Sequence, residues 1–413
     1  MLPLAQLGCQ GLPRDQAKPA VRHGNSAARE LAFAPTPVGD PLSGKPWITN
    51  LAAADLDGDG RVDIVLADSQ ANEVRWIRQT APLTFVEQPI GTEIGAPSHV
   101  TAADADGDGD LDVLVASMGV LMPNNQKIGS VVLLRNQGSG TFVQELLLDQ
   151  VARVTDVQAG DLDGDGDIDL AVAHFGYDEG EIRWMEQTPA GYTSHSLLQL
   201  SGTINAPIAD FDGDGDLDIA AVVSQEWEEI RIFENDGRGG FQGRVIYGSG
   251  NEDFGSSGLS VQDLDLDGDP DLLYTNGDSF DYVPPGPRPW HGVQWLENTG
   301  QLKFTLHRVG DFPGAYSARG VDADGDRDRD LFVVSEFADW HDPKSISFGW
   351  FENQGSGSYQ LHAIASAPTH LLCLDAADFD QDGHTDFVTG GVYFYPPFDR
   401  MARVVLWRNP GSQ

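Results

Sequence analysis

"ADLDGDGRVDIVLAD", residues 54–68, sets four aspartates at intervals of two, two and four residues and then runs straight into an apolar strand. So much negative charge in one tight loop repels itself unless something positive sits at its centre. The pattern returns along the chain, with copies starting at Asp55, Asp104, Asp161, Asp210, Asp263, Asp322 and Asp378. The separations are 49, 57, 49, 53, 59 and 56 residues. A period of that size marks a repeat architecture, which overrides any domain count taken from length.

A second signature follows each copy: "VRWIRQ", "VVLLRN", "IRWMEQ", "IRIFEN", "VQWLEN", "FGWFEN" and "VVLWRN". In the first six units an aromatic comes five or six residues later, at Phe85, Phe142, Tyr192, Phe241, Phe304 and Tyr359. Alternating apolar and polar residues, β-branched side chains and Gly/Asn/Ser breakers make each unit four short strands. Four-stranded units repeated radially build a β-propeller, in which closure protects the sheet edges. The seventh unit ends at "VVLWRNPGSQ" without a fourth strand, and "FAPTPVG" at 33–39 matches "FVEQPIG" at 85–91 at Phe, Pro and Gly. The reading is an all-β, seven-bladed propeller over residues 31–413, closed by an N-terminal strand that completes the last blade. Residues 1–30 form a tail.

Composition excludes several function classes. The 413 residues carry 64 acidic and 25 basic side chains, for a net charge of −39. That opposes nucleic acid and anionic membrane surfaces, both of which need basic patches. No stretch reaches the ~18 apolar residues of a membrane span. Two cysteines, Cys9 and Cys373, exclude a disulfide framework. The start, "MLPLAQLGCQG", lacks the basic region and full apolar core of a secretory signal. "LAQLGC" resembles the end of a bacterial lipoprotein signal with Cys9 as the lipid anchor; a signal trimmed by a mis-assigned start and a plain tail are the alternatives.

Numbered from its first residue, the motif has Asp at positions 1, 3, 5 and 9 in all seven copies. These are Asp55, Asp57, Asp59 and Asp63; Asp104, Asp106, Asp108 and Asp112; Asp161, Asp163, Asp165 and Asp169; Asp210, Asp212, Asp214 and Asp218; Asp263, Asp265, Asp267 and Asp271; Asp322, Asp324, Asp326 and Asp330; and Asp378, Asp380, Asp382 and Asp386. Alternate spacing in a tight loop aims side chains at a common centre, and oxygen donors without Cys or His indicate a hard cation. Position 7 varies from Arg61 to His384, as a main-chain ligand would permit. Ca²⁺ is favoured over Mg²⁺ because many anionic ligands in a flexible loop suit a larger coordination shell. Up to seven structural Ca²⁺ are expected. Leu266 and Gln381 replace Gly at position 4, and Arg327 replaces it at position 6, making the sixth loop the expected weakest.

With these loops the chain resembles the FG-GAP/VCBS repeat family, and its ring resembles the calcium-bearing propeller of integrin α-subunits. The resemblance covers residues 31–413 and rests on the "DxDGDGxxD" loops. It implies a secreted or surface module for adhesion or ligand binding, or an accessory domain of an enzyme, with an extracellular carbohydrate or protein as partner.

No nucleophile elbow, zinc motif or phosphate loop occurs, so a polysaccharide-active enzyme stands as the alternative to a non-catalytic binding module. Two regions are candidates for ligand contact. Just upstream of each motif, the innermost strands place Asn50, His99, Asp156, Asn205, Gly258, Ser317 and Cys373, then Ala52, Thr101, Gln158, Pro207, Ser260, Arg319 and Asp375, toward a central channel. Arg319 and Asp375 fall in one layer of neighbouring blades and form an expected ion pair. The long loops between the second and third strands of blades 5–7 carry Phe280, Tyr282, Trp290, His291, Trp340, His341, Tyr393 and Tyr395. Aromatics on polar loops suit stacking on sugars or peptides, or packing against one another. Trp76, Trp184, Trp295 and Trp350, at regular repeat positions, are expected between blades.

Overall fold

The computed structural model describes residues 31–411 apart from 123, 139, 281 and 356. Cys9 and the tail it belongs to lie outside the described residues. Seven antiparallel sheets follow one another along the chain. In blade 1 the strands are Ile48–Ala54, Asp63–Asp68, Glu73–Ala81 and Thr84–Thr92, each paired with the next. Blades 2, 3, 5 and 6 repeat this order. In blade 4 the first strand is split into Thr203–Asn205 and Ile208–Ala209. Pro207 sits in the gap, where its missing N–H cannot serve a ladder.

Blade 7 contributes only Leu371–Ala377, Asp386–Gly391 and Val404–Arg408, and Ala34–Pro37 supplies its outer strand. The register runs Ala34 against Arg408 to Pro37 against Val405. Phe33 anchors the closing strand, 5.6 Å from the Phe387 ring and 5.8 Å from Phe332. The expected ring closure is therefore observed.

Burial follows position within the blade. The second strands, such as "DIVLAD" and "DLFVVS", are buried along their length, save Phe175 at the end of blade 3's, because blades cover both their faces. That is why they read as continuous apolar runs rather than alternations. The outermost strands are mostly half-buried or exposed. Seven apolar clusters fill the seven blade interfaces, and one joins Ile48 and Ile64 of blade 1 to Val388 and Leu406 of blade 7. Trp76, Trp184, Trp295 and Trp350 are buried, as their repeat positions predict. Among the described residues the one helical turn is a 3-10 turn at Phe398–Arg400, and no helix is long and apolar enough to cross a membrane.

Candidate metal loops and channel site

Each aspartate loop joins the first and second strands of its blade. Position 9 opens the second strand and is buried in every copy. In blade 3 its carboxylate accepts the N–H of Leu162 at 3.0 Å and of Gln187 at 2.7 Å, tying the loop to the end of the third strand. Asp218 and Asp271 make the same two bonds, to Phe211 and Asn235 and to Leu264 and Asn298. Position 1 folds the loop itself: Asp104 accepts the N–H groups of Gly107, Asp108 and Gly109 at 2.8, 3.1 and 3.0 Å. This turn needs positive φ at positions 4 and 6, at 74° and 95° for Gly107 and Gly109. Leu266, Arg327 and Gln381 adopt it without glycine, at φ 63°, 77° and 61°, a conformation that costs ~1–2 kcal/mol per residue.

In each of five loops three of the four expected carboxylates converge. Single oxygens of Asp55, Asp57 and Asp63 lie within 4.8 Å of one another, and so do those of Asp161, Asp163 and Asp169, of Asp210, Asp212 and Asp218, and of Asp263, Asp265 and Asp271. In these four loops the position-five carboxylates, Asp59, Asp165, Asp214 and Asp267, stand outside the group. Their Oδ1 atoms cap the N–H of position 7 instead, as with Asp165 and Asp167 at 2.9 Å. In the second loop Asp108 joins Asp104 and Asp106. Asp263 Oδ1, Asp330 Oδ2 and Asp380 Oδ1 are buried without a hydrogen-bond partner. Burial pushes Asp63, Asp169, Asp218 and Asp386 up to about 6, and Asp271 and Asp330 up to about 7. An all-oxygen set with orphaned, desolvated carboxylates fits a hard divalent cation.

The end of the second signature has a role that its pattern did not reveal. Asn235 Nδ2 donates to Leu217 O of its own loop at 2.8 Å and to Leu162 O of the preceding blade's loop at 2.7 Å. Asn136 and Asn298 bridge neighbouring loops in the same way, and Asn409 reaches Ala323 of blade 6. The recurring terminal Asn is the sequence signal.

At the ring's centre lies a cavity of about 820 Å³. All fourteen upstream positions read as channel-facing line it, from Asn50 to Asp375. Arg319 Nε meets Asp375 Oδ1 at 3.1 Å, the expected pair, and Asp375 Oδ2 accepts the N–H of Ala53 in blade 1 at 2.9 Å. Opposite, His99 Nδ1 lies 3.2 Å from Asp156 Oδ1, while Gln158 donates to the same oxygen at 2.8 Å. Asn205 Oδ1 is buried without a partner.

Residues 55–115, 120–172, 210–274 and 322–389 match the family model described as "FG-GAP-like repeat". The chain belongs to the FG-GAP-like repeat family. This FG-GAP-like propeller is similar in fold to the crystal structure of BBS1N in complex with ARL6DN, soaked with lead, at a TM-score of 0.53 and 11% identity over 92% of this chain and 97% of that one. The crystal structure of the V. cholerae biofilm matrix protein Bap1 gives a TM-score of 0.47 and 12% identity over 92% and 91% of the two chains. No curated protein matches the sequence.

The long loops of the FG-GAP-like ring differ from the expected aromatic ligand face. His291, Trp340 and Tyr393 are buried, so they offer no ring to a ligand. The loops fold over them: Arg400 donates to Trp340 O at 2.9 Å, and Trp340 packs 5.4 Å from the His370 ring. Tyr282 and Trp290 are half-buried and both donate to Asp253 O, at 2.8 and 2.9 Å. His341 is exposed, away from the channel lining. Of these loop residues Tyr395 alone lines the cavity. Beside it Phe280 packs on Phe394 at 5.4 Å and on Phe337 at 5.6 Å. Phe280, Phe394 and Tyr395 rim one side of the mouth; Met118, Leu121, Phe175 and Tyr177, from blades 2 and 3, rim the other. Blade 2's loop thus reaches the channel as well, a contact its sequence did not indicate.

Proposed function

We propose that this propeller is a calcium-stabilised ligand-binding or adhesion module, secreted or held at the cell surface, that takes an extracellular carbohydrate or protein at its channel mouth. One observation carries the reading: polar side chains of all seven blades and an aromatic rim converge on a single cavity of ligand size. Rim rings suit stacking on a sugar or an aromatic side chain, and the floor offers both donors and acceptors. The aspartate loops lie at the opposite ends of the innermost strands, so the cation's role here is to hold the ring together. Exposed loops of this kind bind Ca²⁺ at about 10⁻⁴–10⁻³ M in extracellular modules, which suits a calcium-rich exterior.

A glycan array probed with the calcium-loaded protein tests this reading. Binding that Tyr395→Ala and Asn205→Ala both weaken supports it; binding indifferent to both moves the site elsewhere. Unsaturated products or new reducing ends from a polysaccharide screen would convert the reading to an enzyme, with His99 and Asp156 as the pair to substitute.

A further inference from the structure

The seven aspartate loops are alike in their own residues but differ in what faces them. The fifth residue of the third-strand signature is Arg78, Arg135 and Arg408 in blades 1, 2 and 7, and Glu186, Glu234, Glu297 and Glu352 in blades 3 to 6. Each arginine reaches the position-three aspartate of its own loop. Arg78 pairs with Asp57 and Arg135 with Asp106, while Arg408 approaches Asp380 at 3.8 Å. Blade 1 adds Arg61, whose guanidinium pairs with Asp59.

The glutamates bring the opposite charge to the same place. Glu186 lies close enough to Asp163, and Glu297 to Asp265, for their charges to interact. Three glutamates are held by a histidine of the fourth strand: His195 to Glu186 at 2.8 Å, His307 to Glu297 at 2.6 Å and His362 to Glu352 at 2.7 Å. Each of these imidazoles stacks on the strand's tryptophan, at 4.6 to 4.8 Å. Blades 7, 1 and 2 are consecutive around the ring, and so are blades 3 to 6.

We infer that the ring is divided into two arcs of unequal cation affinity, with four tight sites in blades 3 to 6 and three weak ones in blades 7, 1 and 2. The sixth loop, which Arg327 alone would make the weakest of the seven, is by this reading only the weakest of the tight arc, because Glu352 faces it where the weak arc has arginine. The inference rests on the calcium reading above. In the weak arc an arginine supplies the positive charge that the loop otherwise takes from the metal. A unit charge about 6 Å from a dication changes affinity by about tenfold at the dielectric of water, against binding for Arg and in favour for Glu. The two arcs are therefore expected to differ by about 10- to 100-fold, less at high salt.

Calcium titration of the full chain by equilibrium dialysis, at low and at 0.15 M salt, counts the sites directly. Four tight sites and three at least about tenfold weaker are expected. Arg78→Gln with Arg135→Gln and Arg408→Gln should bring the weak sites up toward the tight class, and Arg135→Gln alone should move one. Glu186→Arg should remove one tight site; a melting curve checks that each variant is folded. Seven indistinguishable sites, or a distribution unmoved by the arginine variants, would overturn the division and leave the calcium reading intact. No calcium bound by the folded protein would overturn both.

Discussion

Arg403 of the last blade grips Glu87 of the first, Nη1 to Oε2 at 2.7 Å and Nη2 to Oε1 at 2.5 Å, across 316 residues of chain. Glu87 also takes Arg75 Nε at 2.5 Å and the N–H of Asp40, in the segment leading from the closing strand, at 2.6 Å. Its side chain is fully buried. Burial pushes the carboxyl up, but the bonds from Arg403, Asp40 and Arg75 outweigh it and hold the group below the ordinary range.

Glu87→Ala leaves two arginines facing each other over the seam without their shared partner. Removing one member of a buried ion pair costs about 3–5 kcal/mol. Urea unfolding should show that loss as a lower midpoint, with Glu87→Gln intermediate. Hydrogen exchange should speed first at Val38 and Val405, on either side of the closing strand. A variant within about 0.5 kcal/mol of wild type would show that the seam is held by Phe33 and the ladder alone.

The Asn struts invite a second substitution. Asn235→Ala deprives Leu162 O and Leu217 O of their side-chain donor. Leaving buried carbonyls unsatisfied costs about 1–3 kcal/mol. Because one of them belongs to the neighbouring blade, calcium affinity in blade 3 should fall with that in blade 4. Dialysis showing one weakened site instead of two would assign the strut a purely local role.

Buried and exposed aromatics of the loop arc should separate cleanly. Trp340→Ala empties a packed site and is expected to cost about 3–5 kcal/mol. Tyr395 is 41% exposed, so Tyr395→Ala should leave stability within about 0.5 kcal/mol while weakening ligand capture. Thermal melts and glycan binding on the same preparations distinguish these outcomes.

How legible each feature was depends on whether it repeats. The aspartate loops, the strand order and the layer that unites Arg319 with Asp375 recur at fixed offsets, so seven copies reinforce a weak local signal. The closing strand was legible because "FAPTPVG" repeats a segment of blade 1. The loops of blades 5 to 7 have no repeat to align, and an aromatic on a polar loop reads the same whether it faces solvent or folds inward. Trp340 turns inward because His370, itself packed against Phe337, offers a surface beneath it, a contact made only once blades 6 and 7 have come together. The division between arginine and glutamate was present in the signatures, but its meaning depends on the third strand ending beside the loop.

In the fold, burial raises Asp63, Asp169, Asp218 and Asp386 to about 6 and Asp271 and Asp330 to about 7, from 3.8. Without metal the folded chain thus holds more protons than the unfolded chain between about pH 4 and 7. Their stabilising contribution is full below about 4 and is lost as pH rises through 6 and 7. His174, His291 and His370 act oppositely, since burial lowers them to about 4 and their neutral forms favour the fold above 6.5. Six carboxylates outweigh three imidazoles, so the chelated protein should melt higher at pH 5 than at pH 7.5. With Ca²⁺ the sign reverses, because ligands must be deprotonated and protons compete with the metal. Millimolar Ca²⁺ should then raise the melting temperature at pH 7.5 by more than equimolar Mg²⁺ does, and far less at pH 5. Melting curves that ignore chelator at pH 7.5 would remove the metal from the aspartate loops, and curves with one pH slope in both conditions would remove its competition with protons.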